Sequence, residues 1–147
     1  MRGLYLASVW LHVLAAMTWS GGMALFVIAV MPYFRRRPET EKAQFLAWFG
    51  SRFRVVSWWC FATLFATGAF NLWARGVEPG DFLRPEWRAT TFGHVAITKL
   101  LLVAVAVAVS AAHERTRSRM QARWMGRALL VFGMIIIGLA VLLVRSS

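Results

Sequence analysis

LYLASVWLHVLAAMTWSGGMALFVIAVMPYF, Leu4 to Phe34, is a continuous apolar run with no charged residue and one imidazole, His12. About 18 consecutive apolar residues suffice for a transmembrane helix, so the run predicts one. It is far longer than the roughly 7–15-residue apolar region of a secretory signal, and the only charge before it is Arg2, so it reads as a retained helix. Residues three and four apart share a helix face. His12, Ala15, Ala16, Trp19, Gly22 and Met23 form such a seam. Small residues there let a neighbouring helix approach closely, which puts His12 on the packed side rather than toward lipid. At the helical rise, His12 is expected about 12 Å in from the outer end. An ionisable group in that setting costs roughly 2.5 kcal/mol or more unless compensated, so His12 is a candidate functional residue.

Three further apolar runs follow, Val55–Trp73, Val95–Ala112 and Ala128–Val144. With tilt and interfacial residues each can cross about 30 Å of hydrocarbon. The length of 147 residues, 59% of them hydrophobic, suits a single transmembrane domain over residues 1–147 with no separate soluble one. The net charge of +11 is gathered in the loops. Loop one carries Arg35, Arg36, Arg37, Lys42, Arg52 and Arg54 against Glu39 and Glu41. Loop three carries Arg115, Arg117, Arg119, Arg123 and Arg127 against Glu114. Loop two is balanced, with Arg75, Arg84 and Arg88 against Glu78, Asp81 and Glu86. Excess Lys and Arg marks cytoplasmic loops, so loops one and three are expected inside, and loop two and both termini outside. Topology thereby accounts for the charge without nucleic acid as a partner. The expected architecture is an all-α, integral membrane four-helix bundle with both termini extracytoplasmic, multi-pass in a bacterial inner (plasma) membrane. The abundance of tryptophan, 8 residues, fits interfacial anchoring. The single Cys60 rules out an intrachain disulfide and a CxxC motif, and reads as packing.

Lys42–Arg54, KAQFLAWFGSRFR, reads in two ways: an amphipathic helix on the inner headgroup surface, or a cytoplasmic extension of the second helix. Loop two, with Pro79, Gly80, Phe82, Pro85 and Trp87, is expected to be an ordered extracytoplasmic cap. In the second run Cys60, Thr63, Thr67 and Asn71 line one face. Interhelical hydrogen bonding, about 1 kcal/mol or less per pair, explains such a stripe; Asn71, near the outer end, is also a candidate cofactor contact. His94 opens the third run at its outer end, with Lys99 about 8 Å deeper and rotated by about 140°. His113 shares the Lys99 face but lies about 21 Å away, at the inner end. Lys99 matches His12 in depth and is its better companion, snorkelling being the alternative. For His12 the alternative is a structural hydrogen bond to a backbone carbonyl. Imidazole is the commonest metal ligand and thioethers suit copper. His12, His94, Met17 and Met134 are therefore candidate metal ligands, although Met17 is rotated off the His12 face and methionines commonly fill gaps.

The string WLHVLAAMTWSGGMALF, Trp10 to Phe26, resembles the opening helix of the copper resistance protein D (CopD) family. Thr67, Gly68 and Asn71, a TG-x-x-N segment, resemble that family's second helix, as does the run from Gly93 to Lys99 followed by Ala112 and His113 a later one. The resemblance covers most of the chain as a four-helix unit, and implies copper handling; longer CopD proteins carry further helices. More distantly the chain resembles the HemJ protoporphyrinogen-oxidase-like family, which has a first-helix histidine and a later lysine. That implies a b-type haem at His12 with Lys99 beside it.

Three functions follow as expectations. The leading one is copper handling, with copper entering near His94 and His12. The alternative is a haem b oxidoreductase with His12 as axial ligand, His94 as a second, and Lys99 or Arg88 pairing with propionates. The third is a noncatalytic membrane subunit or assembly factor, in a homo-oligomer or a larger membrane complex. No phosphate-cradling glycine loop, HExxH or carboxylate cluster appears, so an enzyme here would rely on a cofactor.

Overall fold

The structure, a computed structural model, describes the backbone of residues 2–116 and 119–145. Arg117 of loop three lies outside the described residues, as do the side chains of Arg119, Arg123 and Val144. Among the described residues the chain is all helix and turn, without strands, and the all-α class expected from the apolar runs is the fold observed. Four helices are long and apolar enough to cross a membrane, which makes this a multi-pass membrane protein. The chain forms two compact units, Met1–Gly76 and Val77–Ser147.

The first unit is a hairpin of α1 (Arg2–Leu25), carried on by further helical turns to Arg36, and α2 (Glu39–Trp73). Five residues, Phe26–Val30, form a π turn in the first arm. Pro32 follows it; proline has no N–H for the preceding turn and its ring crowds a carbonyl there, and a wider turn relieves both problems. The arms run antiparallel. Tyr5 meets Arg75, His12 meets Thr67, Trp19 packs on Phe61, Phe26 on Phe49 and Phe34 on Phe45. Gly22 lies against the Phe53 ring, where a Cβ would come within 2.6 Å of Cε2. Ala15 and Trp19 of the expected seam are buried.

The α2 helix, 35 residues long, starts well before the apolar run at Val55. Lys42–Arg54 is thus the extension reading, with no break before the span. Phe45, Phe49 and Phe53, spaced by four, stack on one another with ring centroids 5.8 and 5.4 Å apart, and this ladder meets the first arm. About 30 Å of helix separates Arg54 from Arg75, the thickness of a hydrocarbon core.

The second unit opens with a 3₁₀ turn at Pro79–Leu83 and the short α3 (Pro85–Ala89), followed by α4 (Thr91–Arg115) and α5 (Arg119–Arg145). Both long helices overrun their apolar runs, Val95–Ala112 and Ala128–Val144, because polar residues continue the helical hydrogen bonds into the interface. Loop two is ordered, as expected. Asp81, buried, accepts from the Glu78 amide at 2.8 Å and from Arg84 at 2.9 Å. Phe82, Trp87 and Phe92 pack edge to face. Thr90 caps α4 by accepting from the Gly93 amide at 3.0 Å. A Cβ at Gly93 would run into the Trp87 carbonyl, so this corner needs glycine.

Candidate functional site

The site grows from one hydrogen bond. His12 Nδ1 lies 2.8 Å from Thr67 Oγ1, across the α1–α2 hairpin. The Thr67 hydroxyl lies 2.6 Å from the Thr63 carbonyl one turn back, with the Leu64 carbonyl at 3.5 Å. A carbonyl only accepts, and a hydroxyl has one hydrogen. The Thr67 hydrogen is therefore committed to its own backbone, and its oxygen accepts from His12. This makes Nδ1 the protonated nitrogen and leaves the lone pair of the neutral ring on Nε2. A metal-binding histidine is commonly oriented in this way, by donating its other N–H to a fixed acceptor.

The neighbouring residues shape the same face. A Cβ on Gly68 would lie 3.4 Å from His12 Cε1, so glycine gives the imidazole its room. Ser8, buried one turn before His12 in α1, reaches toward the Thr67 carbonyl at 3.4 Å. Asn71 is one turn after Thr67 in α2. Its Oδ1 is closed off from solvent and has no hydrogen-bond partner among the described residues. Such an orphan acceptor costs about 1–3 kcal/mol. Beyond it, Arg75 donates to the Tyr5 hydroxyl at 3.1 Å and ties the start of α1 to the end of α2.

The structure brings His12 and Asn71 onto this one hairpin. Met17 is 65% exposed there, away from the packed seam. His94, Arg88, Lys99 and Met134 belong to the second unit. His94 Nδ1 is bonded to the Arg88 carbonyl, which makes Nδ1 the donor. This histidine is exposed. Lys99 is half-buried and shares the face of Ala106, two turns further along, which is only 1% exposed. Met134 is 63% exposed. His113 Nδ1 is buried without a partner among the described residues. Among those residues no three His, Cys, Asp or Glu side chains converge as a metal cluster.

Comparison with protein-family models, with curated proteins and with solved structures finds no match for this chain. Its chemistry is therefore argued from its own residues. The polar stripe of α2 was legible in the sequence, but the choice of Thr67 as the partner of His12 was not. Ser8 and the space provided by Gly68 were missed as parts of the site; their only sequence signal is that they sit one turn, or one residue, from His12 and Thr67.

Proposed function

We propose that this chain is a CopD-like, multi-pass inner-membrane protein whose task is to hold a metal centre at Nε2 of His12. The observation that carries this reading is the Thr63–Thr67–His12 chain of hydrogen bonds, which orients the imidazole with its lone pair on Nε2. Metal-ligating histidines are commonly oriented by such a bond from the other ring nitrogen. The orphan Asn71 oxygen, on the same face, supplies an acceptor for a donor group on whatever binds there.

Donor count favours haem b. The hairpin contributes one oriented imidazole, and haem brings its four pyrrole nitrogens, so one axial imidazole suffices. Bound haem would supply one-electron chemistry, and His12 would set its position and tune its potential.

Copper handling is the second reading, favoured by the CopD-like string around His12. It needs soft donors beyond the imidazole; of the candidate ligands Met17, His94 and Met134, only Met17 lies in the same unit as His12. Met17 and Met134 are both mostly exposed, at 65% and 63%.

The test is an absorption spectrum and elemental analysis of protein purified from cells supplied with haem precursors and copper. A Soret band lost in His12→Ala supports haem b. Copper at a fixed ratio, lost in the same variant, supports copper handling. A folded wild-type protein that retains neither removes the metal reading and leaves the membrane-subunit alternative.

A further inference from the structure

Between the facing ends of α4 and α5 lies an open groove of about 620 Å³, lined by none of the residues assigned to His12 chemistry. Each helix lines it with one face. From α4 and its cap come Ala112, Arg115 and Thr116; from α5 come Met120, Gln121, Trp124 and Met125. Both sets follow the three-and-four spacing of a single helix face. The lining is graded along the helix axes. Arg115, Thr116 and Gln121 sit at the turn, and Ala112, Trp124 and Met125 lie one turn deeper. The polar end is ordered, with the Thr116 hydroxyl donating to Gln121 Oε1 at 2.9 Å. The Arg127 guanidinium lies over the Trp124 ring, 5.2 Å from its centroid. Among the described residues neither Arg115 nor Arg127 has a carboxylate partner.

We propose that this groove binds an anionic phospholipid, its headgroup phosphate on Arg115 and an acyl chain along Ala112, Trp124 and Met125. Charge and position both select this occupant. A guanidinium grips phosphate oxygens in a fork. The ends of two spanning helices lie at headgroup depth, where basic residues favour anionic over zwitterionic lipid. The volume is far larger than a hydrated ion requires, and its deeper half is apolar. The inference rests on the membrane-span reading and not on a metal at His12.

The test is native mass spectrometry of the full-length protein from detergent, titrated with phosphatidylglycerol, phosphatidylcholine and inorganic phosphate. Phosphatidylglycerol is expected to bind about fivefold or more tightly than phosphatidylcholine, with inorganic phosphate failing to compete. Arg115→Gln should cut phosphatidylglycerol affinity about fivefold, as should Trp124→Ala, while Arg35→Gln, a basic control in the other unit, should leave it unchanged. Equal affinity for the two lipids, full competition by phosphate, or an equal loss in Arg35→Gln would each overturn the proposal. So would an acidic peptide that displaces the lipid and binds more tightly. If the groove variants fail to fold by circular dichroism, the lipid preference of the wild-type protein and its quenching by brominated phosphatidylglycerol decide. Neither readout involves a Soret band or copper.

Discussion

At the scale of single residues, Thr67 settles more about His12 than any neighbour on α1. Its one hydrogen is spent on the Thr63 carbonyl, so its oxygen can only accept. Thr67→Val keeps the shape and removes the acceptor. Metal or haem affinity is then expected to fall about 10–100-fold, measured by titrating the apoprotein and following the absorption spectrum. Thr67→Ser should retain most of it. Asn71 separates a binding role from a structural one. If its oxygen serves only packing, Asn71→Leu removes an unsatisfied group and raises the thermal midpoint. If it meets a bound cofactor, the same substitution weakens loading while the apoprotein gains stability. The stripe Cys60, Thr63, Thr67 and Asn71 could be read from spacing alone. The member that faces His12 could not, because that depends on where two antiparallel helices settle in register.

At the scale of elements, the π turn and the phenylalanine ladder show how the first hairpin is set. The apolar window in the sequence began at Val55, but α2 begins at Glu39. A hydropathy window sees only the lipid-soluble part of a helix. The rest is held by rings at four-residue spacing, Phe45, Phe49 and Phe53, meeting Phe26, Phe34 and Gly22 on the other arm. Gly22→Ala places a methyl 2.6 Å from Phe53 Cε2, so the ring must turn and loosen its stack on Phe49. A loss of about 1–3 kcal/mol is expected, seen as a lower thermal midpoint in detergent. Gly21→Ala meets nothing within 4 Å and should be neutral or slightly stabilising. In the second unit the cap before α4 depends on Asp81 and Gly93. Asp81→Ala strands the Glu78 amide and frees Arg84, and limited proteolysis of the loop should then speed up.

At the scale of the whole molecule, exposure of apolar surface is the governing fact. Only 6–11% of each candidate span is buried. Long apolar side chains such as Leu4, Ile28, Phe65 and Leu101 stand mostly exposed, as they must if hydrocarbon is their solvent. Loop charge gives the expected orientation. A reporter inserted at Gly50 should be active only in its cytoplasmic form, and one fused at the C-terminus only in its exported form. The reverse pattern would invert the topology and move His12 to the half of the bilayer nearer the cytoplasm.

Hydropathy and charge are properties of short stretches of chain. The sequence by itself therefore determined the all-α class, the four apolar helices and the suspicion that falls on His12. Tertiary structure decided what no local pattern encodes. It chose Thr67 as the partner of His12, made Nδ1 the donor, left the Asn71 oxygen without a hydrogen-bond partner among the described residues and formed an open groove between α4 and α5. Each of these turns on ångström-scale register between helix faces. A shift of one residue along either arm moves a side chain by about 1.5 Å and 100° and presents a different one, while leaving the hydropathy of both arms unchanged.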